Sequence, residues 1–129
     1  MLLWITIVMV LLAVQILLPP SLNSNGTMSE RLNAALGPRD HVPTESVVAQ
    51  RARRALANLN ETLPFFLTFA LLAIILHKEV PHAILGAQIY AIARVLYLGA
   101  YLSGVPVIRT LIWAAAVIGL VLMAKAVLG

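Results

Sequence analysis

From Leu2 to Leu18 the chain is apolar almost without interruption, Thr6 and Gln15 being the polar exceptions. A helix needs about 20 such residues, rising about 1.5 Å each, to cross the hydrocarbon of a bilayer. This stretch, closed by Pro19 and Pro20, predicts a first transmembrane helix over residues 2–18. It lacks the basic start and small-residue cleavage site of a secretory leader, so it is expected to be retained. Polar character then dominates through a loop over about residues 19–45. There Asn23-Ser24-Asn25-Gly26, Gly37-Pro38 and Pro43 mark turns and leave room for a short helix around Ser29 to Leu36. A second helix is predicted over residues 46–77, with Thr44 or Ser46 as its cap. Its first half is polar and its second, Phe65 to Leu76, is apolar; Pro64 between them frees the carbonyl of Asn60 and predicts a kink. Residues 82–103 make a third span interrupted by Arg94, and Gly104 and Pro106 suit a tight turn into a fourth over residues 106–128.

Composition agrees with a chain dissolved in lipid. Of 129 residues, 61% are hydrophobic and 11% charged. A soluble domain this small keeps too much of its surface in water to hide that apolar content. Lipid demands instead that backbone polar groups be satisfied internally, by helices or by a closed barrel. The short alternating segments of a barrel are absent, leaving an all-α integral membrane protein: one domain, residues 1–129, built as a four-transmembrane-helix bundle. The net charge of +4 comes from nine basic residues, too few and too dispersed to track a nucleic-acid backbone. No cysteine is present, which excludes disulfides, a protein thiolate nucleophile and cysteine-ligated metals. His41, His77 and His82 have no metal-ligand spacing, so no metal is expected. The triplets Asn25-Gly26-Thr27 and Asn60-Glu61-Thr62 match the glycosylation pattern, which is common by chance and is discounted. Arg31, Arg39, Arg51, Arg53, Arg54 and Arg109 gather at one membrane face, against Lys78 and Lys125 at the other. The positive-inside rule then places the arginine-rich face in the cytoplasm and both termini on the far side.

Some residues are out of place in lipid unless they face each other. Arg51, Arg54, Asn58 and Glu61 fall on one helical stripe, and Arg94, Tyr97 and Tyr101 repeat its spacing on the third span. Arg94 lies near mid-membrane, where an arginine costs roughly 2.5–3.5 kcal/mol on insertion scales and faces the protein interior. Glu61 is the only carboxylate in any span, so a Glu61–Arg94 ion pair is the simplest expected solution. One reading of that pair is structural, a single buried bridge fixing the register of two helices. It leaves Arg54 and Asn58 unexplained, and Arg109 at the start of the fourth span. Converging guanidinium, amide and phenol groups suit a cavity for an anionic, peptide-like ligand. Trp4 and Trp113 read as interfacial anchors or packing residues, Trp113 less surely so because it lies one turn after Arg109.

The run Arg51-Ala52-Arg53-Arg54-Ala55-Leu56-Ala57-Asn58-Leu59-Asn60-Glu61-Thr62-Leu63-Pro64-Phe65 resembles the second-helix signature of the MAPEG superfamily, the membrane-associated proteins in eicosanoid and glutathione metabolism. Ala93-Arg94-Val95-Leu96-Tyr97-Leu98-Gly99-Ala100-Tyr101, followed by Pro106 and Arg109, resembles the family's third helix and its entry to the fourth. Within it the chain looks most like a bacterial-type microsomal glutathione transferase. The resemblance implies a homotrimer binding glutathione between subunits on the cytoplasmic side. Carried over by motif, Arg51, Arg54, Asn58, Glu61, Arg94, Tyr97, Tyr101 and Trp113 belong to the glutathione site, with Arg109 of an adjacent subunit and Thr110 facing the sulfur as the catalytic pair. The chain departs from the family's prostaglandin synthases, which carry histidines at Leu56 and Tyr97, a serine at Thr110 and a tyrosine at Trp113; the first helix also lacks a basic residue for the ligand's glycine carboxylate.

The expected function is therefore that of a membrane-bound, glutathione transferase-like enzyme. It would activate the glutathione thiol as thiolate, for conjugation or peroxide reduction of hydrophobic, lipid-soluble electrophiles entering between the first and fourth spans. The alternative is a non-catalytic lipid-binding or structural membrane trimer. A small multidrug transporter is disfavoured because the first span holds no carboxylate.

Overall fold

A computed structural model of the chain describes residues 1–38 and 44–129; Arg39, His41 and Pro43 lie outside the described residues. The described residues form five helices in the order α1 (Leu2–Leu22), α2 (Met28–Leu36), α3 (Val47–Ile75), α4 (Pro81–Ser103) and α5 (Pro106–Leu128). Four of them, all but α2, are long and apolar enough to span a membrane. Large aliphatic side chains such as Leu17, Leu71, Leu111 and Ile118 point away from the bundle, as lipid-facing residues do. The molecule is a multi-pass integral membrane protein with an all-helical fold.

The first helix continues through Pro19 and Pro20 to Leu22 instead of stopping at Leu18. Each proline removes one backbone donor, yet its ring is compatible with helical φ, and Pro19 is buried. The buried positions of α1, Val8, Leu11, Gln15 and Pro19, make one stripe, and α1 packs chiefly on α3. Polar Gln15 thus lies inside the bundle, while Thr6, exposed to the surroundings, bonds back to the carbonyl of Leu2 at 3.0 Å. The loop holds a helix starting at Met28, one residue before the expected Ser29. Thr27 caps it, accepting from the Glu30 amide while the Glu30 carboxylate accepts from the Thr27 amide, a reciprocal capping box.

Ser46 caps α3 by accepting from the Ala49 amide, and its hydroxyl donates to the carbonyl of Leu22 at 3.0 Å, joining the ends of α1 and α3. Helix α3 runs unbroken past Pro64. It ends where His77, at φ 53°, takes the left-handed conformation, and the amides of His77 and Lys78 return to the carbonyls of Ile74 and Ala73. Proline opens both α4 and α5, where a missing N–H is harmless.

Helices α4 and α5 form the closest pair. A Cβ added to Gly86 would lie 2.6 Å from the Gly119 carbonyl oxygen, and one added to Gly119 would lie 2.6 Å from that of Gly86. The two backbones therefore meet at these glycines, the small-residue contact that replaces hydrophobic association in lipid. At one membrane end the N-terminal ammonium pairs with Glu79 at 2.9 Å, and Lys78 donates to the carbonyl of Val127 at 2.8 Å. The opposite end gathers the start of α3, the end of α4 and the start of α5, and with them the arginines.

Candidate functional site

Helix α3 has 29 residues, about 44 Å of helix against a hydrocarbon core of about 30 Å. Its excess length places Arg51, Arg53 and Arg54 near the headgroups and Asn58, Glu61 and Thr62 deeper. Arg94 sits nine residues before the end of α4, roughly 14 Å below it at 1.5 Å per residue.

Arg94 is 1% exposed. Its guanidinium donates through Nη1 to Asn58 Oδ1 at 2.7 Å and through Nη2 to Thr62 Oγ1 at 2.5 Å. Glu61 is exposed and makes no ion pair among the described residues, so the expected Glu61–Arg94 bridge is corrected. The physical reason is angular: Asn58 and Thr62 are one turn apart on the buried edge of the stripe, while Glu61 is rotated out of the bundle. Tyrosines flank the guanidinium, with ring centroids 5.4 Å (Tyr90) and 5.3 Å (Tyr97) from its central carbon, within reach of cation–π attraction. Tyr90 stacks on Phe66 at 4.5 Å and its hydroxyl lies 2.9 Å from Thr62 Oγ1. A positive charge in the membrane is thus held by an amide oxygen, a hydroxyl and two π faces, with no carboxylate. Arg94 Nε is buried without a partner.

The network continues toward the membrane face. Tyr97 and Tyr101 are 5.6 Å apart in a tilted arrangement, and the guanidinium of Arg109 lies over the Tyr101 ring at 4.7 Å. Asn58, Arg94, Tyr97, Tyr101 and Arg109 are therefore brought into one continuous chain of contacts across α3, α4 and α5. Other expected site residues stand apart from it. Arg51 turns to the α4–α5 connection, donating to the Leu102 carbonyl at 3.2 Å, and its guanidinium lies flat against Gly104, where a Cβ would sit 3.0 Å away. Gly104 has φ 77°, a conformation suited to glycine. Arg54 is exposed, as is Trp113. Thr110 is exposed and donates back to the Pro106 carbonyl at 3.2 Å. Arg53 pairs with Glu45 in the loop, and this hydrogen bond holds the Glu45 carboxyl below its ordinary range.

Two members of the network, Thr62 and Tyr90, were not among the expected site residues. Their signal was available: Thr62 lies four residues after Asn58 and Tyr90 four before Arg94, each one turn along the same face.

The donor set fits glutathione, a flexible anion with paired carboxylates, amides and an ammonium group. Among the described residues the only ion pairs are the N-terminus with Glu79 and Arg53 with Glu45. Arg54, Arg109 and Glu61 make no ion pair among the described residues. No curated protein and no solved structure matches the chain. The family model described as "MAPEG family" matches residues 1–129, the whole of this chain. The chain belongs to the MAPEG family.

Proposed function

We propose that this protein is a membrane-bound, glutathione-dependent enzyme that works as a homotrimer on hydrophobic electrophiles dissolved in the bilayer. The observation that carries the reading is the placement of Arg109, which makes no ion pair among the described residues, over Tyr101 at the end of the Asn58–Arg94–Tyr97–Tyr101 chain. Arg54, Asn58, Glu61 and Tyr101 would hold the ligand's polar groups. When bound, glutathione supplies a thiol that reacts well only as its thiolate. Arg109 stabilises negative charge at the sulfur; lowering a thiol pKa from about 8.5 by two units takes about 2.7 kcal/mol, within reach of a guanidinium hydrogen bond aided by the N-terminus of α5. Thr110 contributes if its hydroxyl turns from Pro106 to the sulfur. In this reading Arg109 meets the reacting atom and Arg94 holds the binding face together.

Membership in a family of glutathione and eicosanoid metabolism supports this reading, as does a polar α3 face, Arg54, Asn60, Glu61 and Thr68, left exposed by the single chain. Those groups need cover within a bilayer, and neighbouring subunits would supply it. The arginine-rich end is assigned to the cytoplasm, with both termini opposite. The engagement of Thr110 with Pro106 favours the second reading, a trimer that binds lipid without catalysis.

The test is conjugation of glutathione to a lipophilic aryl halide by the purified protein in vesicles. Wild-type turnover, with Arg109→Ala lowered by about a hundredfold or more and its oligomer intact, is expected. Absence of turnover with several electrophile classes supports the non-catalytic reading.

A further inference from the structure

Tyr90 is buried and Thr62 half-buried, and the reading above uses neither. Thr62 Oγ1 accepts from Arg94 Nη2 at 2.5 Å, and a hydroxyl has one proton and two acceptor lone pairs. The Thr62 proton serves either the Leu59 carbonyl at 3.3 Å or the Tyr90 hydroxyl at 2.9 Å, and in both arrangements Thr62 keeps a lone pair for Arg94. Phe66 stacks on the Tyr90 ring at 4.5 Å and fixes where its hydroxyl sits.

Arginine only donates, so the branch of Asn58 facing Arg94 at 2.7 Å is its oxygen. The NH2 branch then points the other way. Asn58 is half-buried, and Nδ2 is not among the enclosed polar atoms that lack a partner. It has no hydrogen-bond partner among the described residues. A rotating Asn58 would offer a donor or an acceptor with equal ease; a locked one offers only a donor, as a peptide carbonyl or carboxylate requires.

We propose that the Thr62–Tyr90 hydroxyl pair positions Arg94 and, through it, fixes Asn58 as an outward-facing amide donor for a carbonyl or carboxylate oxygen of the bound peptide. Thr62 and Tyr90 are positioning residues; neither touches the ligand. The identity of that ligand as glutathione rests on the function proposed above.

Two measurements separate the inference from that function. The first needs no ligand. In detergent-solubilised protein labelled with 15N-asparagine, the Asn58 side-chain amide, assigned by its loss in Asn58→Ala, relaxes as a rigidly held group. Thr62→Val makes it mobile, with relaxation like that of a solvent-exposed asparagine, and Thr62→Ser restores its rigidity. An Asn58 amide unchanged in Thr62→Val overturns the proposal. The second is a double-mutant cycle on glutathione binding by calorimetry. Thr62→Val weakens binding about tenfold, and adding it to Asn58→Ala weakens binding no further, because both act through one group. Multiplying effects show that Thr62 acts elsewhere and overturn the proposal. Wild-type protein that binds no glutathione contradicts the functional reading, and the amide signals then decide the positioning alone.

Discussion

Arg94 is solvated by the protein with neutral groups only, and this sets what its neighbours are worth. A hydrogen bond to a charged group contributes about 1.5–3 kcal/mol, and removing the partner inside a membrane exposes that term. Asn58→Ala should therefore lower stability in detergent by about that amount, whereas Glu61→Ala, which removes no hydrogen bond or ion pair of the Arg94 network among the described residues, should leave it within about 0.5 kcal/mol. Thermal or denaturant unfolding of the two variants side by side checks this, and the reverse order contradicts the assignment of Arg94 to Asn58 and Thr62. The residue types of the site were legible in the sequence; their partners were not. Helical spacing puts Asn58, Glu61 and Thr62 within about 100° of one another, and charge complementarity then favoured Glu61. Which of the three faces inward is decided by the rotation of α3 against α4, a tertiary quantity that periodicity does not carry.

At the scale of elements, the four spans and the cap at Ser46 were legible because lipid imposes length and apolarity, and the chain obeys both. The continuation of α1 across Pro19 and Pro20 was not, since prolines signal a break unless the last turn can do without their donors. The Thr27–Glu30 capping box had a readable motif that turn signals around it obscured. The closest helix contact, α4 with α5, depends on Gly86 and Gly119, ordinary-looking in an apolar run. Alanine at either places a methyl group 2.6 Å from a facing carbonyl oxygen, so each substitution should destabilise by about 1–3 kcal/mol, the usual range for overpacking. Gly99, with nothing within 4 Å of an added Cβ, is the matched control, and Gly99→Ala should keep or raise stability through its helix propensity. Equal losses at all three positions contradict the close approach. The α4–α5 turn has its own lock in Arg51, which bonds Leu102 and lies against Gly104. Arg109 projects from the same turn, so Arg51 acts on the site through backbone placement.

For the whole molecule, the antiparallel spans put Arg51, Arg54 and Arg109 at one membrane end, and orientation decides which compartment meets them. The absence of cysteine makes this easy to measure. A membrane-impermeant maleimide should label Ser103→Cys from the cytoplasmic side only and Lys125→Cys from the opposite side only; the inverse pattern reverses the topology. Assembly is the second whole-molecule property. Light scattering or native mass spectrometry in mild detergent should give three copies, and a stable monomer would leave the polar α3 face uncovered, contrary to the proposed homotrimer.

The central claim, that this bundle binds glutathione and activates its thiol through Arg109, is tested most directly by ultraviolet difference titration of glutathione into the purified protein near neutral pH. The account predicts a saturating thiolate absorbance in the wild type that is lost in Arg109→Ala. A folded wild-type trimer with no such signal, or an equal signal in Arg109→Ala, contradicts it.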